Sequence, residues 1–96
     1  MVDIEAIRFA AQVRYWDPAK GGGLAVADIP VEHIPSLGGL RQQRVAGTIA
    51  GHAFTSSVMP AGSGRLALSV SKRMLTDAAA SVGDRVEVEI RSVGRD

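Results

Sequence analysis

The chain has 96 residues, 46% of them hydrophobic and 22% charged, with eleven bases against ten acids for a formal net charge of +1. A chain of this size and composition builds one core, which excludes a disordered polymer and a second domain, and the near-neutral charge argues against a nucleic-acid partner. No cysteine is present, which excludes disulfides, thiolate metal sites and a cysteine nucleophile and favours a reducing, cytoplasmic setting.

Met1-Val2-Asp3-Ile4-Glu5 carries acids where a secretory signal carries bases, and no apolar run approaches the ~18 residues of a membrane span, so neither export nor membrane insertion is expected. Residues 7–16 alternate, with Ile7, Phe9, Ala11, Val13 and Tyr15 on one face and Arg8, Gln12 and Arg14 on the other, which is the period of a half-buried strand. Residues 17–23, rich in Gly and containing Pro18, form a loop. Residues 24–29 are apolar except for Asp28 and end at Pro30, as a short second strand would. Between Pro30 and Leu37 there is room for one helical turn, because Pro35 forbids a longer helix and Gly38-Gly39 follows.

Residues 45–49 and 54–58 pair as a hairpin that keeps Val45, Gly47 and Ile49 on the face of Phe54, Ser56 and Val58, whether the turn centres on Ala50-Gly51 or on Gly51-His52. The second centre is expected, since a type II′ turn takes Gly first and alanine resists positive φ. Residues 59–64 read as a loop, and residues 65–70 as a fifth strand with Leu66, Leu68 and Val70 inward. Ser71 is a helix cap, and the stripe Met74, Leu75, Ala78, Ala79 and Val82 predicts a helix over about residues 72–81, closed by a left-handed Gly83. Val86, Val88 and Ile90 then alternate with Glu87, Glu89 and Arg91 in the last strand.

These elements define a single, mainly β domain over residues 1–96: a small closed or partly open β-barrel of about six strands with one helix before the last strand. Its expected core is Ile7, Phe9, Val13, Val45, Ile49, Phe54, Leu66, Leu68, Val70, Leu75, Val86 and Val88.

The sequence holds little chemistry. His52 lies near Thr55, Ser56 and Ser57, but no nucleophile-elbow motif occurs, and a turn histidine beside strand hydroxyls is the simpler reading. His33 and His52 are the only histidines, and neither has an acid or histidine four residues on, so no metal site is assigned. Gly62-Ser63-Gly64-Arg65 resembles a phosphate cradle yet lacks the following helix, and Gly21-Gly22-Gly23 is read as a flexible connection. Lys20, Arg41, Arg65 and Lys72 could gather at one barrel mouth around an anion. His52, Ser56, Arg65 and Lys72 are the ligand-binding residues proposed from sequence, with no catalytic residue and no cofactor assigned.

The opening strand Ile7-Arg8-Phe9-Ala10-Ala11-Gln12-Val13 and the segments Val26-Ala27-Asp28-Ile29-Pro30, Gly47-Thr48-Ile49-Ala50-Gly51, Phe54-Thr55-Ser56-Ser57-Val58-Met59-Pro60, Leu68-Ser69-Val70-Ser71-Lys72 and Val82-Gly83-Asp84-Arg85-Val86-Glu87-Val88 follow one another in an order and spacing that resembles the bacterial family called domain of unknown function 1905. The resemblance covers most of the chain and implies a compact β-barrel without an established activity. Two positions depart from that pattern, which often has an aromatic near Leu24 and usually reads Asn-Gly at Ala50-Gly51. Residues 66–90 are also similar to the swapped-hairpin barrels of bacterial transcription regulators and antitoxins, which bind DNA as intertwined dimers.

Three functions follow as expectations. The leading one is a non-enzymatic binding or accessory module, monomeric or homodimeric, that offers a mouth or an edge to a small molecule or protein. A DNA-binding regulatory barrel is the alternative, and a small enzyme with an unrecognised site is the third.

Overall fold

Strands with one apolar face leave sheet edges exposed unless the sheet closes on itself. In the computed structural model, which describes residues 6–17 and 24–93, closure is complete. β1 (Ile7–Tyr15), β2 (Ala25–Ile29), β3 (Gln43–Ile49), β4 (His52–Gly62), β5 (Arg65–Val70) and β6 (Arg85–Ser92) form a closed barrel in the order β1-β2-β5-β4-β3-β6. Every pairing is antiparallel, so residues 30–42 join β2 to β3 at one end and a helix, α1 (Lys72–Asp77), joins β5 to β6 at the other.

Alternation fills the interior. Ile7, Phe9, Ala11 and Val13 of β1 meet Ile29, Val45, Ile49, Val58, Leu66, Leu68, Val70, Val86, Val88 and Ile90 in one buried cluster. Ile34, between two short 3-10 turns (Val31–His33 and Pro35–Leu37), and Leu37 of the second join it from one end, and Met74 of α1 from the other. Phe54 and Leu75, expected in the core, are only half-buried and pack against it.

Three local expectations are corrected. The β3–β4 turn centres on Ala50-Gly51, with φ of 50° and 85°, so that Ile49 pairs with His52. This primed turn matches the strand twist, and alanine accepts a left-handed conformation to make it. Residues 59–62, read as loop, belong to β4, which reaches Gly62 through a register shift next to Pro60. Proline is tolerated there because β3 begins only at Gln43, opposite Val58, leaving one side of β4 without a ladder partner.

The helix stops at Asp77, four residues short of the predicted end. Ala79 takes φ of 55°, its N–H donates to Thr76 O (3.1 Å) and the Ala80 N–H donates to Leu75 O (2.9 Å). That pair of bonds is a Schellman closure, made on alanine rather than glycine. Gly83, with φ of 104°, instead turns the chain into β6: its N–H donates to Val13 O (2.8 Å), and Asp84 Oδ2 accepts from the Ser81 N–H (2.9 Å).

Candidate functional site

At mid-barrel Val45, Val58, Leu66, Leu68 and Ile90 are fully buried. At the helical end a cleft of about 430 Å³ is lined by Tyr15, Leu24, Ala25, Val70, Ser71, Lys72, Leu75 and Val82. Three strand ends stand side by side there, since Tyr15 pairs with Ala25 and Ala25 with Val70. The Trp16 N–H donates to Leu24 O (2.7 Å) and carries the β1–β2 contact beyond the ladder, leaving Trp16 and Leu24 as exposed apolar side chains.

The opposite wall is set by the helix cap. Ser71 Oγ accepts from the Met74 N–H (3.1 Å) while the Ser71 N–H points to Met74 Sδ (3.4 Å), fixing the first turn of α1. Lys72, the first helical residue, is thereby held at the cleft, and Leu75 one turn on packs its other flank against the core. Among the described residues no carboxylate forms an ion pair with Lys72. The site thus offers apolar walls, a phenol at Tyr15 and one unneutralised ammonium.

The residues proposed from sequence do not meet in one place. Lys72 lines the helical cleft, whereas Arg65 lies at the other end of β5 in a separate, smaller depression with Gln12, Arg14 and Asp28. Ser56 is half-buried with its hydroxyl committed to Ser69 O (2.6 Å), and His52 is exposed at the start of β4. Arg41 sits against Gly38 in the segment that enters β3, at the end away from α1. Lys20 and Gly21-Gly22-Gly23 lie outside the described residues.

His33 packs near Phe9, ring centroids 6.3 Å apart, and Gly62-Ser63-Gly64 is a hairpin turn with three positive φ values. Among the described residues no three His, Asp or Glu side chains come together as metal ligands would. No described helix is long and apolar enough to cross a membrane.

One polar feature was not anticipated. Arg14 binds Asp28 through two parallel bonds, Nε to Oδ2 at 2.7 Å and Nη2 to Oδ1 at 2.9 Å, on the outer surface of the barrel. The two residues are fourteen apart in sequence, and their only signal was an arginine and an aspartate on the outward faces of adjacent strands.

The fold and cleft define the class: a small closed antiparallel barrel with a helix across one mouth. A family model described as domain of unknown function (DUF1905) matches residues 9–90, and the chain belongs to that family. The comparison with curated proteins found no match.

Proposed function

We propose that the domain is a non-enzymatic binding or accessory module that holds a small, largely apolar molecule with one anionic group at the helical mouth. The cleft carries this reading: about 430 Å³ lies within the range of small-molecule sites, and its walls are mostly apolar with Lys72 and Tyr15 as polar handles. An anion at Lys72 would meet a charge that no described carboxylate neutralises. The barrel closes within one chain, so every strand finds its partners without a second copy, which favours this reading over an intertwined DNA-binding dimer. The family resemblance and the cysteine-free sequence support a bacterial, cytoplasmic setting.

Thermal shift with octanoate and 4-phenylbutyrate, beside amines of matched size, tests the reading, since a ligand that binds only the folded state raises its melting temperature. The carboxylates should stabilise the protein and the amines should not. Lys72→Glu, at an exposed position, should abolish the shift without altering the ligand-free melt. Equal stabilisation by amines, or an undiminished shift in Lys72→Glu, overturns the proposal.

A further inference from the structure

The ring of strands is not evenly zipped. The β1–β2 ladder covers only Tyr15↔Ala25, Arg14↔Val26 and Val13↔Ala27. Below it β1 stays with β6 from Gln12 to Ile7, and β2 stays with β5 to Ile29↔Leu66, so the two strands part while each remains in the barrel. A depression of about 230 Å³ opens where they separate.

Its chemistry is specific. Ala10 and Pro30 give it a small apolar floor, the side chains of Ala11 and Ile29 being turned into the core, and Arg14, Asp28 and Arg65 stand around it. Arg14 is immobilised by its bidentate bond to Asp28 and by Nη1 donating to Tyr15 O (3.3 Å). The Arg14 hydrogen bond holds the Asp28 carboxyl below its usual range, and the charges of Arg14 and Arg65 add to this, which places Arg65 within electrostatic reach of the same carboxylate. Two guanidiniums against one carboxylate leave one positive charge over, carried by Arg65, which forms no ion pair among the described residues.

We propose that this opening between β1 and β2 is a second binding site, independent of the helical mouth, for a short aliphatic carboxylate. Arg65 binds the carboxylate through its planar fork, and the carbon chain lies on Ala10 and Pro30. At ~30 Å³ per water-sized group, the volume suits a ligand of roughly five to eight non-hydrogen atoms. A dianion such as phosphate would need two spare cations, and the apolar floor gives its remaining oxygens nothing.

Titration with propionate at constant ionic strength, followed by amide and arginine Nε chemical shifts, tests the site. Saturable shifts are expected at Gln12, Asp28 and Arg65. Arg65→Gln should weaken propionate binding, read at Gln12 and Asp28, at least tenfold, and Arg65→Lys should retain part of it. Lys72→Glu should leave that titration unchanged and remove only the octanoate-induced thermal shift, which separates this site from the mouth. The proposal is overturned if Arg65→Gln binds as the parent does, if chloride produces the same shifts, or if inorganic phosphate binds more tightly than propionate.

Discussion

A Cβ placed on Gly47 would stand 1.8 Å from the carbonyl oxygen of Glu89 and 2.8 Å from Cα of Ile90. Gly47 is held in register by Phe54 on one side and Ile90 on the other, so neither β3 nor β6 can swing away without breaking a ladder. Gly47→Ala must therefore separate the two strands, and a loss of at least ~2 kcal/mol is expected, at the upper end of overpacking penalties or beyond. Circular dichroism melts check this, and a melting temperature equal to the parent's would show that β3 and β6 do not approach so closely.

Two alanines sit where glycine or asparagine is cheaper. Ala50 (φ 50°) and Ala79 (φ 55°) each carry a Cβ in the left-handed region, at a cost of roughly 1–2 kcal/mol that the greater unfolded freedom of glycine only partly offsets. Ala50→Asn and Ala79→Gly should each stabilise the fold by about 0.5–1 kcal/mol, raising the melting temperature by some 2–8 °C in a domain of this length. Destabilisation by Ala79→Gly would mean that the helix does not end in a left-handed residue.

Leu68 is fully buried between Ala27 of β2 and Val58 of β4. Leu68→Ala should cost roughly 2–5 kcal/mol, transfer and cavity terms together. Urea denaturation measures it, and a loss under ~1 kcal/mol would put Leu68 outside the core.

Arg14 and Asp28 give the fold an acid-sensitive contact. The folded Asp28 carboxyl titrates below its ordinary value of 3.8, so its contribution is fully present above that pH and is lost as pH falls through the lower folded value. Between about pH 5 and pH 2, Asp28→Asn should lose less stability than the parent, and the two proteins should converge at the acid end. Parallel stability curves for the two would contradict the pairing. Because both side chains are over a third or close to a third exposed, the effect should be small and should shrink with added salt.

Strict alternation made β1, β5 and β6 legible, because a period of two in apolar residues has few other meanings. What escaped was local. Pro60 marks a loop in most contexts, and only the late start of β3 makes it acceptable in β4. Ala78-Ala79-Ala80 reads as helix on propensity, yet the Schellman bonds to Leu75 and Thr76 override it. Of the proposed site residues, Lys72 lines the cleft because it follows a cap that sequence shows plainly. Arg65 could not be placed, since the separation of β1 from β2 depends on which partner each strand keeps, and that choice is made across the whole ring.

The pairing of Ile7 with Ile90 joins the first strand to the last. During synthesis β1 must wait for β6, and until Arg85 to Ser92 is available both β1 and β3 present an unsatisfied edge along β6's place. Contacts so distant in sequence are slow to form, so refolding should run in milliseconds to seconds and not in microseconds. A chain stalled before β6 would be an open sheet with two sticky margins, which makes the nascent protein, far more than the finished ring, the form most in need of a chaperone.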